Sequence, residues 1–485
     1  MRVLILLLAV CFANAQSLNN ASTSEIDEVL HKYSPDWKDL DRRPLPKWYD
    51  EAKIGIFLHW GVYSVPGFGS EWFWANLRGG DKRHVEFMKK NYPPGFTYQE
   101  FAPMFRTEFF EPDKWADLFK AAGAKYIVLT SKHHEGFTLF PSKKSFSWNS
   151  VDVGPKRDLV GDLAKSVRSK GLKFGVYHSL YEWYNPIYVQ DRENKFSTRT
   201  YVDTKLWPDL KQLINDYEPS VIWADGDWEA YDSYWKSEEF LAWLYNDSPV
   251  KDEVVVNDRW GIGIPGKHGD FYNFADRFNN RTLQGHKWEN AFTVDGTSWG
   301  YRRNININQV LTLTQLIDQI VTTVSCGGNA LINIGPTKEG TICPIFQERL
   351  LSIGKWLSIN GEAIYGTTPW KAQNDTYNGN VWYTCKKGNS SIKREVKKIE
   401  AVYAITLKWP QDNILKLEVI SPYLHSGLFQ VELLGNEGQP LNVSHFFNFH
   451  SIPAQNGMSR SSTIKTSVEI IFKLHRYVPT SIFGI

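Results

Sequence analysis

Cysteine is scarce in this chain. Only four of the 485 residues are Cys, and Cys11 lies inside an N-terminal apolar run. Cys326, Cys343 and Cys385 remain, an odd number at spacings that match no zinc ligand set. At most one internal disulfide can form, so a disulfide-stapled scaffold is excluded. Long runs of one charge are missing too. The formal net charge is +2, and the one short basic segment, KREVKK at 393–398, reads as a solvated loop or edge rather than a nucleic-acid contact. Beyond the N-terminus no apolar run is long enough to span a bilayer. There is no His-x-His or His-Glu-x-x-His for a catalytic metal, and no glycine-rich dinucleotide fingerprint after the first strand pattern. The expectation is chemistry without a metal or a cofactor.

Aromatic side chains, by contrast, are abundant. They make up 15% of the chain, with 20 Trp. Most belong in a core, but an excess of Trp and Tyr suits faces that stack on sugar rings. The start, MRVLILLLAVCFANAQ, joins one positive charge, an apolar run and the small-x-small end Ala13-Asn14-Ala15. It reads as a signal peptide over residues 1–15, cleaved before Gln16, which sends the protein into the secretory pathway, to lysosome or exterior. Asn20, Asn246, Asn280, Asn374, Asn389 and Asn442 each begin an Asn-x-Ser/Thr glycosylation acceptor.

The length calls for two domains. Residues 16–45 are a polar leader with a Pro-rich exit. Apolar, β-branched runs follow at 54–60, 125–131, 172–179, 220–225, 253–258 and 329–335. They are nearly continuous, as strands covered on both faces must be. Helical patterns lie between them at 112–123, 157–171, 205–217, 313–325 and 345–361, several opened by Pro or closed by Gly. Alternating strands and helices specify a parallel sheet. A (β/α)8 TIM-like barrel over 16–365 is preferred to a doubly wound sheet, with 292–301 as a further strand and the last one unplaced. After 365 short alternating segments such as AVYAITLKW and ILKLEVI, separated by Gly, Asn and Pro, read as an antiparallel β-sandwich over 366–485.

In a parallel barrel, chemistry gathers at the C-terminal ends of strands. Those ends are His59-Trp60, Lys132-His133-His134-Glu135, Tyr177-His178, Asp225 and Asn257-Asp258-Arg259. A single buried His is usually a core residue, but five polar ends on one rim are not accounted for that way. The stretch SVIWADGDWEAYDSYW (220–235) offers four acids among aromatic rings. Only Asp225 stands where the apolar run stops. Asp227, Glu229 and Asp232 fall in the loop beyond and read as loop-ordering or outer-subsite groups. Carboxylates beside His, Arg and Trp fit glycoside hydrolysis, in which two carboxyl groups flank the bond.

FLHWGVYSVP, GSEWFW, SKHHEGFTLF, GVYHS, WADGDWE, NDRWG, HKWE, SWGYR, GGNALINIGP and NGEAIYGT occur in this order. They resemble the α-L-fucosidases of glycoside hydrolase family 29, over residues 30–370, and are nearest to the animal lysosomal or tissue-type members. The resemblance implies a retaining enzyme acting on fucosylated glycans, a catalytic barrel with a C-terminal β-sandwich, no metal, and a homo-oligomer. It makes Asp225 the nucleophile. It surrounds Asp225 with His59, His133, His134, Tyr177, Trp223 and Arg259, adds Glu71 and Trp72 from a loop, and places Trp299 as an aromatic wall. Asp276 is the first choice for acid/base and Glu289 the second. The family pattern around Lys287-Trp288-Glu289 carries Pro and Cys where this chain has Asn280 and Ala291. A secreted fucose-binding lectin would use the same aromatics but would not need the carboxylates, all of which are present.

Overall fold

The computed structural model describes residues 31–388, 399–411, 414–420, 429–435, 444–446, 449–453 and 470–476. The signal segment, Asn20, Asn389, Asn442 and KREVKK lie outside them. Seven parallel strands form the first sheet: β1 (Ile54–Leu58), β2 (Tyr126–Lys132), β3 (Lys173–Ser179), β4 (Val221–Asp225), β5 (Val255–Val256), β6 (Trp288–Thr293) and β7 (Gly328–Ile334). Their spatial order is β5-β4-β3-β2-β1-β7-β6. The register pairs Ile56 with Ile127 on one side and with Ile332 on the other.

The apolar runs are continuous because each strand has two covered faces. On β1, Ile54, Ile56 and Leu58 pack outward in a core shared with the helices. Phe57 points the other way, into a second cluster with Tyr126, Val128, Tyr177, Val221, Trp223, Ala291 and Leu331. That second cluster fills the barrel. The crossover helices include Pro112–Ala121, Leu159–Ser169, Trp207–Tyr217, Leu313–Ser325 and Pro344–Asn360, close to the expected ranges.

Two strand expectations need correction. The run at 253–258 yields only the two residues of β5. The segment 292–301 is not a strand of its own: β6 begins at Trp288 and ends at Thr293, and the chain then leaves the sheet. The missing eighth position is taken by 270–272. The Asp270 and Phe271 amides donate to the Val256 carbonyl, Tyr272 N–H donates to Lys287 O, and Glu289 N–H donates to Tyr272 O. The barrel thus closes through one isolated bridge, Tyr272 to Trp288. A buried carboxylate stiffens this seam. Asp270 accepts from Val256 N–H at 2.8 Å, from Arg43 Nη1 at 3.1 Å and from Tyr245 Oη at 3.1 Å. Arg43 belongs to the leader, which is also held through Trp37 to Glu238 and Asp232.

From Thr368 onward the described strands all pair antiparallel. β8 (Thr368–Asn374), β9 (Val381–Lys387), β10 (Ile399–Thr406), β12 (Phe429–Leu433) and β15 (Ile470–Arg476) make one sheet. β11 (Ile414–Leu417), β13 (Ser444–Phe446) and β14 (Phe449–Pro453) make another. Trp370, Tyr383, Leu415 and Leu417 lie in the core of this part. Cys326, Cys343 and Cys385 are all free thiols. No described helix is long and apolar enough to cross a membrane.

Candidate active site

One cavity of about 320 Å³ opens at the C-terminal ends of the strands. His59, Glu71, Trp72, His133, His134, Tyr177, Trp223, Asp225, Arg259, Asp276 and Trp299 all line it. β1 delivers His59, β2 leads into His133 and His134, β3 carries Tyr177, and β4 ends on Asp225. Asp225 is the last strand residue because Gly226 turns away at φ +91°, in the left-handed region.

Two donors converge on Asp225, and an imidazole stands beside it. Tyr177 Oη donates to Oδ2 at 2.6 Å. Arg259 Nη1 donates to Oδ1 at 3.0 Å. His134 Nε2 stands 3.5 Å from Oδ2. The same guanidinium reaches outward, and its Nη2 lies 2.7 Å from Asp276 Oδ1. Arg259 also sits 4.7 Å over the Trp223 ring. Burial opposes its charge, but Asp276, Asp225 and Asp227 outweigh that and raise its pKa. Burial, with the neighbouring His133, pushes His59 and His134 well below the usual imidazole value, so both are neutral. Burial and the Asp225 charge raise Tyr177, so its hydroxyl remains a donor.

The loop residues are held as firmly. Glu71 Oε2 accepts from Trp299 N–H at 3.0 Å and Gly300 N–H at 2.9 Å. This fixes the loop that brings Trp299 over the cavity. Arg277 lies 4.7 Å over the Trp299 ring. Asp276 is the most open of the carboxylates, with its side chain 47% exposed against 11% for Asp225.

Glu289 does not reach the cavity. It is the second residue of β6, and strands of a parallel barrel start at the face away from the mouth. It is fully buried. It accepts from Tyr126 Oη at 2.6 Å, Tyr49 Oη at 2.7 Å, Trp223 Nε1 at 3.0 Å and Asn273 Nδ2 at 3.3 Å. Among the described residues no cation pairs with it; neutral donors anchor it beneath Trp223. Two glycan acceptors are similarly committed. The Asn246 carboxamide exchanges two hydrogen bonds with the Tyr33 backbone, and Asn374 Nδ2 donates to Gly379 O and Val381 O. Asn280 stands on an exposed turn.

Several site residues escaped the sequence reading. Asn333 Oδ1 lies 2.7 Å from His59 Nδ1, and Asn333 Nδ2 donates to Trp299 O at 2.7 Å, so one amide orients two lining residues. A polar residue inside the apolar run NALINIG was its signal. Glu135 Oε2 faces His133 Nδ1 at 3.3 Å, both buried. Trp228 lines the cavity as well, beside Asp227, which the sequence offers as a loop-ordering or outer-subsite group.

This arrangement is a closed floor of neutral imidazoles, a phenol and indoles around one paired carboxylate, with a second carboxylate at the mouth. The model of the α-L-fucosidase family matches residues 20–362. This chain belongs to the α-L-fucosidase family, and so to the glycoside hydrolases. The model of the α-L-fucosidase C-terminal domain matches residues 373–468. The tissue α-L-fucosidase of Homo sapiens is 51% identical over 435 residues, 90% of this chain and 89% of its own length. An α-L-fucosidase of Branchiostoma floridae is 55% identical over 391 residues, 80% of this chain and 84% of its own. The solved Thermotoga maritima α-fucosidase in complex with fucose is similar at a TM-score of 0.74 and 34% identity, covering 91% of this chain and 100% of the other.

Proposed function

We propose that this α-L-fucosidase removes terminal α-L-fucose from glycoproteins, glycolipids and oligosaccharides with retention, using Asp225 as nucleophile and Asp276 as acid/base. The observation that carries the reading is Arg259, whose two nitrogens hold Asp225 and Asp276 over one cavity. One guanidinium spanning two carboxylates keeps them close, as a retaining pair must be, at about 5–5.5 Å.

Asp225 attacks the anomeric carbon. The Tyr177 hydroxyl and the Arg259 guanidinium stabilise its charge and aim it, so little reorganisation is needed. Asp276 gives its proton to the departing oxygen. Its exposure then admits water, which it deprotonates to release fucose from the covalent fucosyl-enzyme. Neutral His59 and His134 offer donors and acceptors to the ring hydroxyls without adding positive charge against an oxocarbenium-like transition state. The apolar N-terminal run supports delivery through the secretory pathway, to lysosome or exterior, and the resemblance supports a homo-oligomer.

The test is Asp225→Gly. Hydrolysis of a nitrophenyl fucoside should fall by at least about four orders of magnitude. Azide should restore turnover and give the inverted fucosyl azide. Near-normal hydrolysis by that variant would remove Asp225 from the chemistry.

A further inference from the structure

Of the acids in the stretch 220–235, two have ordering partners. Glu229 accepts from Tyr188 Oη at 2.8 Å, and Asp232 accepts from Trp37 Nε1 at 2.8 Å. Asp227 is different. Its carboxylate makes no hydrogen bond to another side chain among the described residues, and it lines the cavity. Gly226 puts it there: a Cβ at Gly226 would meet Tyr181 Cδ1 at 2.5 Å, so no other residue makes this turn without displacing the ring. Arg259 is near enough to act on Asp227, but its hydrogen bonds go to Asp225 and Asp276.

The next residue is equally unusual. Trp228 is 43% exposed, whereas the lining residues Trp223 and Trp299 are buried. It is nevertheless fixed in place. His134 and Tyr181 meet it edge-on at 5.5 and 6.0 Å, and Trp72 lies roughly parallel at 6.4 Å. A large indole clamped among other rings and still open to water at the mouth of a cavity is an interaction surface. It lies against His134, which itself approaches Asp225. Trp228 and Asp276 both line the cavity that holds Asp225, and both are exposed.

We propose that Asp227 and Trp228 form the subsite for the leaving group, built for a sugar ring. Trp228 takes the apolar face of the ring, and Asp227 takes one of its hydroxyl or acetamido groups. The inference rests on the fucosidase reading above, with fucose on the cavity floor. Chemistry supports the pairing. Desolvation lifts the Asp227 carboxyl to about 7, with the Arg259 charge opposing and the Asp225 charge adding to it. Below that pH it carries a proton, so one oxygen donates while the other accepts. That pattern suits vicinal hydroxyls, and an apolar aglycone makes no use of it.

The experiment compares wild type, Asp227→Asn, Trp228→Ala and Trp228→Phe. The substrates are fucosyl disaccharides ending in galactose or N-acetylglucosamine, and 4-nitrophenyl and phenyl fucosides. In Trp228→Ala the disaccharide-to-aryl ratio of kcat/KM should fall about tenfold, mainly through KM, with partial recovery in Trp228→Phe. In Asp227→Asn it should fall about threefold or more, the weight of one hydrogen bond. The 4-nitrophenyl-to-phenyl ratio should stay at the wild-type value in all three. Disaccharide-to-aryl ratios within about twofold of wild type would overturn the subsite. A 4-nitrophenyl-to-phenyl ratio that climbs in Asp227→Asn would overturn it too, by making Asp227 a proton donor. Wild-type enzyme inert on every fucoside would instead sink the underlying activity, and the subsite with it. Thermal melting of each variant separates these outcomes from misfolding.

Discussion

Replacing Glu289 separates scaffold from chemistry. In Glu289→Ala the two phenols, the Trp223 indole and the Asn273 amide lose their shared acceptor. Each buried donor left unpaired costs about 1–3 kcal/mol, or about 4–12 for all four. Removing a buried carboxylate returns part of this, because its own desolvation cost disappears. The net loss is about 3–5 kcal/mol, as when one partner of a buried pair is deleted. Glu289→Gln keeps an acceptor for Trp223, and the Tyr49 and Tyr126 hydroxyls can turn to accept from the new amide. Its loss is about 1–3 kcal/mol. Burial raises the Glu289 carboxyl above its ordinary value, against the pull of its four donors. A raised folded-state pKa gives stability that is present at low pH and lost as pH rises through it. The gap between wild type and Glu289→Gln is therefore widest at acidic pH. Urea midpoints at several pH values measure the stability, and kcat/KM on 4-nitrophenyl and phenyl fucosides measures the chemistry. Both substrates should fall in the same proportion, through a tilted Trp223. A native urea midpoint in Glu289→Gln, together with selective loss of the phenyl substrate, would refute the reasoning and make Glu289 the proton donor.

Asp276→Ala should spare a dinitrophenyl fucoside far more than a phenyl fucoside, because a good leaving group needs no proton. Azide should rescue it with retained configuration, and equal loss on both substrates would argue against acid/base duty. Asp227 predicts a pH-dependent stability. Its carboxyl rises from 3.8 to about 7 on folding, so the stability it contributes is full below about pH 4 and is lost as pH climbs through about 7. Asp227→Asn should gain on wild type between those limits, and parallel urea-midpoint profiles would contradict this.

What the sequence made legible follows from the physics of each element. Strands β1 to β4 and β7 are covered on both faces, so their apolar runs stand out and their polar ends mark the mouth. His59, His133, His134, Tyr177, Asp225 and Arg259 are legible from those ends, whereas Glu71, Trp72, Trp223, Asp276 and Trp299 come from the family resemblance. β5 is two residues long and the closing segment has one bridge, so neither leaves a periodic trace. Their stability comes from Asp270 and the distant Arg43, a pairing 227 residues apart that no local pattern reports. Glu289 is the second choice for acid/base because Lys287-Trp288-Glu289 is a family motif, and a motif does not report at which end of its strand a side chain stands; β6 starts at Trp288 and buries Glu289 away from the mouth. Asn333 is hidden because an orienting residue differs from a core polar residue only by what it touches.

The single bridge between Tyr272 and Trp288 has a consequence for how this enzyme tolerates change. The six seams among β1 to β7 each carry at least two paired residues in fixed register, so an inserted residue there would rotate side chains off their faces. Between β5 and β6 the chain from 257 to 287 is held by separate anchors rather than by a strand ladder, among them Asn257 to Ala224 O, Arg259 to Asp225, Asn273 to Glu289 and Arg277 N–H to Ala291 O. It can lengthen or shorten while the remaining staves hold their alignment. Asp276 rides on that adjustable stretch, and Asp225 stands on a rigid stave. The proposed acid can thus be repositioned over evolutionary time for a new leaving group without disturbing the proposed nucleophile.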